Sequence, residues 1–398
     1  MPTFDPTRLA RLRDVLTRHA DEDRVGGLAW LADCDGRVEV GVAGRLVRGE
    51  GRPVQRDTLF RISSMTKPIV AAAALSLVEE CRLRLDDPVD DLLPELADRR
   101  VLVDPRGHLD GPTVPAARPI LVRDVLTFRL GLGMDFSAPW PQPLLEEMSG
   151  LQLASGPPQP QLPPPPDEWL RRLGTLPLLH QPGERWLYDT GGDVLGVLIS
   201  RAAGQPLDVV LRERLFEPLG MADTGFAARD LRRLGATYAL DQATGEPVVW
   251  DPPEGQWATP PAFPSGSAGL VSTLDDLRAF GRMLLDGGRA PDGSKLLSRV
   301  AVEAMTTDQL GMAPGVPGPT PDGSQGWGFG VGVQLRRTGI GPGPGSYGWA
   351  GGLGSVWMND PAERLVGVVL TTDMFSGPTA PPAAIHDFWT GVYAALDE

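Results

Sequence analysis

The chain has 398 residues, 41% of them hydrophobic and 22% charged, and a formal net charge of −14. This composition is typical of a globular protein with a sizeable core, and the acidic balance argues against nucleic acid or an anionic membrane as the main partner. No apolar run approaches the length of a membrane span, and the first residues lack the basic-then-apolar layout of a secretory signal. We therefore expect a cytoplasmic protein.

The first sixty residues are predicted to form a capped helix followed by strands. Asp5 and Pro6 begin an amphipathic helix with an apolar face and an arginine-rich face. Residues 27–32 and 37–42 have strand composition and are joined by an Asp-Gly turn, which is a hairpin signal. A further strand is predicted over residues 54–62.

The middle of the chain, from residue 66 to residue 228, is predicted to be mostly helical. The expected helices cover residues 68–80, 168–178, 193–203 and 208–219, and Gly220 follows the last of them as a stop signal. Prolines are dense between residues 157 and 166, which predicts a stiff, extended surface segment. A flap over a pocket mouth is the functional alternative for that segment.

The last third returns to strands. Thr273 is the expected N-cap of a helix, and residues 328–335, 354–358 and 365–371 are predicted strands before a closing helix over 383–396. Strands at both ends with helices between them predict an α+β fold, in which a central antiparallel sheet is assembled from N- and C-terminal segments and flanked by helices. We expect residues 1–65 and 229–398 to form the domain with the sheet and residues 66–228 a mostly helical domain, with the active site at their interface.

Ser64 and Lys67 lie three residues apart at the start of the predicted helix over 68–80. Side chains at that spacing are neighbours on a helix, and the positive end of the helix dipole favours an activated nucleophile. Apart from Lys295, Lys67 is the only lysine among 37 basic residues. Because an arginine cannot lose its proton whereas a desolvated lysine can, this choice indicates a neutral amine that acts as a base.

Two further stretches offer groups that such a pair needs. Tyr188 lies in a loop before a predicted helix, where its hydroxyl could lose a proton if the Lys67 ammonium stabilised the phenolate. A structural tyrosine bonded to the backbone is the alternative. Residues 347–355 combine glycines with strand composition, which favours close approach of a ligand to the backbone and a free N–H donor.

Other catalytic systems have less support. No serine lies in a Gly-x-Ser-x-Gly elbow, and the four histidines lie in unrelated contexts, so a Ser-His-Asp triad is not predicted. The two cysteines, Cys34 and Cys81, predict neither a disulfide framework nor a metal centre.

The three stretches together resemble the serine β-lactamase and penicillin-binding-protein superfamily, and most closely its class C β-lactamase-like carboxylesterases, the family VIII esterases. Ser64-Met-Thr-Lys67 matches the Ser-x-x-Lys element, Tyr188-Asp-Thr190 lies where that branch has Tyr-x-Asn, and Trp349-Ala-Gly351 matches Trp-x-Gly. The resemblance implies the β-lactamase/transpeptidase-like fold.

The resemblance also implies a mechanism. Ser64 would attack an ester carbonyl, Lys67 and Tyr188 would share the general-base role, and the N–H groups of Ser64 and Gly352 would form the oxyanion hole. Water would then hydrolyse the acyl-enzyme, with no metal or organic cofactor.

Departures from the motifs refine the expected substrate. Thr190 replaces an asparagine that would bind a β-lactam amide, and Trp349 replaces a cation that would meet its carboxylate; Trp349, Gly351 and Thr190 are the expected substrate-binding residues. Loss of the cation favours uncharged esters of short-chain acids or small alcohols. A β-lactamase, a D-amino-acid peptidase or an acyltransferase on the same scaffold are the alternatives, with a catalytically silent binding protein as a third class.

Overall fold

The structure is a computed structural model that describes residues 3–153, 156–311, 318–377 and 380–397. Within these residues the strands are β1 (Thr3–Phe4), β2 (Gly27–Cys34), β3 (Arg37–Val47), β4 (Glu50–Pro53), β5 (Phe60–Arg61), β6 (Arg100–Leu102), β7 (Thr113–Pro115), β8 (Thr237–Leu240), β9 (Pro247–Asp251), β10 (Val271–Ser272), β11 (Gln325–Trp327), β12 (Gly332–Gln334), β13 (Tyr347–Gly351), β14 (Ser355–Asp360), β15 (Leu365–Thr371) and β16 (Leu396–Asp397). The helices are α1 (Pro6–Asp21), α2 (Thr66–Glu79), α3 (Val122–Leu126), α4 (Pro143–Gly150), α5 (Pro166–Gly174), α6 (Thr190–Ala203), α7 (Leu207–Leu211), α8 (Glu217–Leu219), α9 (Leu274–Leu285), α10 (Arg299–Met305) and α11 (Ala383–Ala395).

Segments from the two ends of the chain form the largest sheet of the described residues. Its eight strands run in the order β11-β12-β13-β14-β15-β2-β3-β4, and every neighbouring pair is antiparallel. The N-terminal β2 pairs with the C-terminal β15, from Leu28 opposite Thr371 to Cys34 opposite Leu365. The predicted fold class is therefore confirmed at the strand pair that joins the two ends.

Alternation along β2 divides the core between the two faces of the sheet. Successive side chains of a strand point to opposite faces. Leu28 and Trp30 pack in a cluster with the apolar residues of α1 and α11, whereas Ala29 and Leu31 belong to the larger cluster that includes α2 and α9. All eight residues of β2 are buried, because helices cover both faces.

Helix α2 is buried on nearly its whole circumference, which suits its alanine-rich sequence. Small residues at Ala71–Ala74 permit close approach of neighbouring elements, and α2 packs against α6. A buried α2 fixes the position of its first turn, and the candidate nucleophile lies at that turn.

Several local predictions are confirmed. The Asp5 side chain accepts hydrogen bonds from the N–H groups of Thr7 and Arg8 at the start of α1, and the Thr273 hydroxyl accepts one from Asp276 at the start of α9. Gly220 has a φ of 68°, the left-handed conformation expected of a helix stop.

Two strand predictions had wrong bounds. The strand expected over residues 54–62 is limited to β5, because only Phe60 and Arg61 have a ladder partner, in β10. The strand expected over 328–335 is interrupted by a turn and retains only β12, since the glycines at 328 and 330 connect it to β11. The helix expected over 208–219 is confirmed, because α7, a π-helical segment at Arg212–Phe216 and α8 follow one another without a break.

Helices α2 to α8 and the hairpin β6–β7 all fall between residues 66 and 228. The division of the chain into two domains at those positions stays a prediction.

Among the described residues no single helix is long and apolar enough to cross a membrane. Helix α6 is long and apolar enough only when it is taken together with residues 207–219, from which it is bent by 80°.

Candidate active site

The turn before α2 brings the Ser64 hydroxyl and the Lys67 amine together. Strand β5 ends at Arg61, residues Ser63–Met65 form a 3₁₀ turn, and α2 follows at once. Ser63 has a φ of 47°, a left-handed conformation that is unfavourable for a residue with a side chain. This turn leaves the Lys67 Nζ 3.0 Å from the Ser64 Oγ, as the spacing predicted.

The Lys67 ammonium has an acceptor for each of its three hydrogens. Besides the Ser64 Oγ, Nζ lies 2.6 Å from the Asp189 Oδ1 and 2.8 Å from the Ser267 carbonyl oxygen, and its side chain is fully buried. Burial disfavours the charge and is the largest influence, but the charge and hydrogen bond of Asp189, with the electrostatic influence of Tyr188 and Asp193, together outweigh it, so the pKa of Lys67 is raised. This differs from the neutral amine expected from burial alone.

Tyr188 reaches the same amine from the loop before α6. Its backbone pairs with Met134 through two hydrogen bonds of 2.8 Å, which anchor the loop. The Lys67 Nζ lies 4.6 Å from the centroid of the Tyr188 ring, and the Tyr188 Oη accepts a hydrogen bond of 2.7 Å from the Trp349 Nε1. The structure therefore brings together the three groups singled out by the sequence.

Aromatic rings enclose Tyr188 on several sides. Ring centroids lie 5.1 Å away at Phe136, 5.6 Å at Trp186, 5.7 Å at Trp349 and 6.3 Å at Trp327. Apolar rings lower the polarity around the phenol and so strengthen its electrostatic interaction with the lysine. Sequence reasoning missed all of these except Trp349, because isolated aromatic residues on four different segments carry no local signal.

The end of β13 provides the opposite wall of the site. Trp349 and Gly352 line the cavity in front of Ser64. A Cβ at Gly352 would meet only open space, and its N–H donates to no acceptor among the described residues, as an oxyanion donor requires. Gly351 instead packs against the Ile62 carbonyl, with 2.2 Å between that oxygen and a Cβ placed at 351.

Two of the predicted substrate-binding residues lie away from the cavity wall. Gly351 and Thr190 are both buried and neither lines the cavity, whereas Asp189 does. Thr190 begins α6, and its N–H donates to the Tyr188 carbonyl over 3.2 Å. The side chain that reaches Lys67 from this motif is therefore that of Asp189, one position earlier than the matching Asn of the motif.

A polar network behind Lys67 was also missed from the sequence. The Asp193 Oδ1 accepts a hydrogen bond of 2.6 Å from the Ser265 hydroxyl and one of 3.1 Å from the Ser267 N–H. The Ser267 hydroxyl donates to the Asp189 carbonyl over 2.6 Å. Burial and the nearby charge of Asp189 raise the pKa of Asp193 to about 7. An aspartate in the first turn of an otherwise apolar helix was the available signal.

The cavity in front of Ser64 has a volume of about 930 Å³. Its charged or titratable lining residues, in the part of the chain that the structure describes, are Tyr188, Asp189 and His386, and no lysine or arginine is among them. His386 had not been singled out from the sequence as a site residue. The rest of the wall is mainly apolar and includes Met134, Phe136, Trp140, Ile340, Val356, Met358, Ile385 and Trp389.

The proline-rich segment contributes part of this wall. Gly156, Pro157 and Pro158 line the cavity, and the Gln161 side chain donates to the carbonyl oxygens of Gln256 and Thr259. The sequence predicted a surface segment here, with a flap over a pocket mouth as the alternative. The position of the segment suits that alternative, which stays a hypothesis. Among the described residues no group of three histidine, cysteine or acidic side chains is arranged to hold a metal ion.

Comparisons with known proteins show the family to which this chain is related. The model of the family described as Beta-lactamase matches residues 12–388. Esterase EstB of Burkholderia gladioli is 34% identical over 407 residues, covering 95% of this chain and 94% of EstB. Protein Rv1367c of Mycobacterium tuberculosis is 45% identical over 263 residues, which span 65% of this chain and only 62% of that protein. The solved structure of EstCE1, a hydrolase with promiscuous acyltransferase activity, superimposes with a TM-score of 0.79 at 27% identity, covering 97% of this chain and 99% of EstCE1.

Proposed function

The chain belongs to the Beta-lactamase family and has its fold, and on that premise we propose that it is a serine carboxylesterase that acts through an acyl-enzyme on Ser64. The observation that carries the proposal is the placement of the Lys67 Nζ, which lies 3.0 Å from the Ser64 Oγ and 4.6 Å from the Tyr188 ring centroid. The similarity to EstB, an esterase, over nearly the whole chain supports the same reaction class.

Acylation begins when the Ser64 Oγ attacks the ester carbonyl and gives up its proton. Lys67 and Tyr188 share the general-base role, and the positive charge on Lys67 stabilises a negative Tyr188 oxygen. The oxyanion of the tetrahedral intermediate is stabilised by the N–H groups of Ser64 and Gly352. Tyr188 returns the proton to the departing alcohol, and the carbonyl re-forms as the ester of Ser64.

Deacylation repeats these steps with water as the nucleophile. Water transfers a proton to the same base and attacks the acyl carbonyl, after which Ser64 leaves with the returned proton and the free acid is released. Serine, tyrosine and lysine side chains supply all the groups that this sequence of proton transfers needs.

The cavity supports uncharged esters as substrates. No lysine or arginine lines it among the described residues, so a substrate carboxylate would enter a site with Asp189 and without a cationic partner. We assign esters in which the acid or the alcohol is small, with the other half against the apolar wall, because pockets of this volume enclose a drug-sized ligand. The same argument disfavours β-lactams and D-amino-acid peptides, whose recognition uses a carboxylate.

Trapping the acyl-enzyme tests the proposal. Intact-mass measurement after mixing with a panel of p-nitrophenyl esters, lactones and β-lactams should show one added acyl group, and Ser64→Ala should abolish both the added mass and ester hydrolysis. Ser376→Ala is the matched control, since Ser376 also lines the cavity and should leave acylation intact. Hydrolysis by a folded Ser64→Ala variant, or preferential turnover of nitrocefin, would refute the assignment.

Acyl transfer to an alcohol is a second candidate. It is favoured by the similarity to EstCE1, which is described as a hydrolase with promiscuous acyltransferase activity. Product analysis with competing alcohols distinguishes the two, because a transferase yields a new ester in place of the free acid.

A further inference from the structure

Asp189 adopts a backbone conformation that is rare for a residue with a side chain. Its φ of 81° and ψ of −67° are those of the central residue of a γ-turn, and the turn is closed by the hydrogen bond of 3.2 Å from the Thr190 N–H to the Tyr188 carbonyl. Such strain persists only where the surroundings hold it, and here the Ser267 hydroxyl binds the Asp189 carbonyl.

The strained turn places two consecutive side chains against one amine. The Asp189 Oδ1 lies 2.6 Å from the Lys67 Nζ, and the Tyr188 ring centroid lies 4.6 Å from the same atom. In an extended chain consecutive side chains point to opposite sides. The sharp turn is thus what allows a tyrosine and its neighbouring aspartate to face the same lysine.

Acceptors and acidic groups face Lys67 from several elements. Ser64 faces it from the 3₁₀ turn before α2, Tyr188 and Asp189 from the loop before α6, Asp193 from α6, and the Ser267 carbonyl from the segment before β10. The main influences that raise its pKa are those of Asp189, Tyr188 and Asp193. Asp189 makes the shortest of these contacts and, with 21% of its side chain exposed, also borders the cavity.

We propose that Asp189 is a positioning residue that keeps Lys67 protonated through the catalytic cycle, so that Tyr188 takes the proton from Ser64 and the lysine contributes charge. This proposal rests on the esterase function proposed above. The proposal gives a role to Asp189, the middle residue of the Tyr188-Asp-Thr190 motif. It also separates two roles that the mechanism above left shared: Tyr188 is the base, and Lys67 supplies positive charge.

The electrostatics agree with this division. Burial alone would lower the pKa of Lys67, and the raised pKa depends first on the charge of Asp189. The raised pKa of Asp193 means that this second carboxyl is partly protonated near neutral pH. Asp189 is therefore the principal negative partner of Lys67 at the pH where an esterase works.

The lysine content of the chain permits a direct test. Lys67 and the exposed Lys295 are its only lysines, so protein labelled with ¹³Cε-lysine gives two lysine signals, which Lys295→Arg assigns. In the wild type we expect the Lys67 signal to stay that of an ammonium through the pH range of the activity assays, because its negative neighbours outweigh burial. In Asp189→Asn we expect the Lys67 signal to titrate at lower pH than in the wild type, because burial is then less opposed.

Either of two results would overturn the proposal. One is a Lys67 signal that shows a neutral amine near pH 8 in the wild type, a measurement that needs no variant. The other is an unchanged Lys67 titration in folded Asp189→Asn. Because these signals report protonation without any substrate, they remain informative if the ester chemistry fails, whereas acyl trapping at Ser64 tests the esterase function alone.

Kinetics give an independent readout. If Lys67 acts as an ammonium, Asp189→Asn moves the alkaline limb of kcat/KM to lower pH by about one unit or more. If Lys67 acts as a neutral base, the same variant instead moves the acidic limb to lower pH and raises activity there, which would contradict the proposal. Asp135→Asn is the control, since Asp135 pairs with Arg185 near the cavity and should leave both limbs in place.

Discussion

Two buried ion pairs use different cations, Arg61 and Lys67, which lie six residues apart in the sequence. Arg61 pairs with Asp251 just before the nucleophile turn, with 2% and 3% of the side chains exposed. Lys67 pairs with Asp189 just after it, and there the carboxylate remains 21% exposed on the cavity side. One pair is sealed in the protein, and the other borders the space where a substrate would bind.

The partners of the two cations differ in the same way. The Arg61 guanidinium binds Asp251, the carbonyl oxygens of Gly235 and Pro252, and lies 5.3 Å from the Trp257 ring centroid. All of these are fixed protein groups, so the planar fork of arginine connects β5 to the chain around residues 235–257. Lys67 directs one of its three hydrogens to the Ser64 hydroxyl, the nucleophile of the proposed mechanism.

The pKa of the buried cation shifts in opposite directions at the two sites, although burial acts to lower it at both. Burial lowers the pKa of Arg61 in spite of Asp251, but an arginine stays charged in any case. At Lys67 the several negative neighbours outweigh burial and raise the pKa. The comparison indicates that arginine serves where a cation is structural, and lysine where the charge must meet a nucleophile.

The largest effect is expected from exchanging the cation at the reactive pair. Lys67→Arg should lower kcat/KM for a p-nitrophenyl ester about a thousandfold, because a planar guanidinium in a fully buried site cannot direct single hydrogens to Ser64, Asp189 and the Ser267 carbonyl at once. Lys295→Arg, at the exposed lysine, should leave kcat/KM unchanged. An active Lys67→Arg enzyme would show that lysine is not required there.

Breaking the sealed pair should affect stability and spare the chemistry. Arg61→Met leaves Asp251 buried without a cation, and we expect a loss of about 3–5 kcal/mol in the free energy of unfolding measured by urea denaturation. The folded fraction should keep its specific activity. Arg56→Met is the matched control, since the Arg56–Asp275 pair is about half exposed and should contribute at most about 1 kcal/mol. Equal losses in both variants would contradict the comparison.

The hydrogen bond to the Tyr188 oxygen should have an intermediate effect. Trp349→Phe keeps a ring at the cavity wall but removes the N–H that donates to the Tyr188 Oη over 2.7 Å. We expect kcat to fall about tenfold with little change in KM, because a hydrogen bond to an oxygen that becomes charged is worth about 1.5–3 kcal/mol. Trp140 lines the same cavity, and Trp140→Phe should change kcat less than about twofold. A larger fall in kcat for Trp140→Phe than for Trp349→Phe would exclude the phenolate as the partner of Trp349.

The parts of this site that the sequence predicted are those fixed by local chemistry. Ser64 and Lys67 are one helical turn apart, so their proximity follows from spacing alone, and the hairpin and helix caps follow from turn and capping residues. Motif resemblance placed Tyr188 and Trp349 with them. The sheet order was predictable only in outline, because strands at both ends must pair but their register is set by distant packing.

The remaining groups depend on tertiary structure. Asp189 faces Lys67 because a strained turn directs it there, and the motif resemblance had named Thr190, not Asp189, as a substrate-binding residue. Ser267 and Asp193 lie 200 and 126 residues from Lys67 in the chain, which no local pattern encodes. The raised pKa of Lys67 arises from these unforeseen carboxylates, which is why composition alone indicated a neutral amine.

The smallest expected effect concerns the second carboxyl of the reactive pair, which Arg61 lacks. Burial and the charge of Asp189 raise the pKa of Asp193 from 3.8 to about 7, so the folded chain binds more protons than the unfolded chain between these values. Ionisation of Asp193 therefore disfavours the folded state increasingly as the pH rises through this window. Asp193→Asn removes that dependence, and its Tm relative to the wild type should rise by about 2 °C between about pH 5 and about pH 8. The exposed Asp110→Asn should show no such trend. If the Asp193→Asn difference stayed flat, Asp193 would be ionised throughout, and Lys67 would have two full negative charges beside it where Arg61 has one.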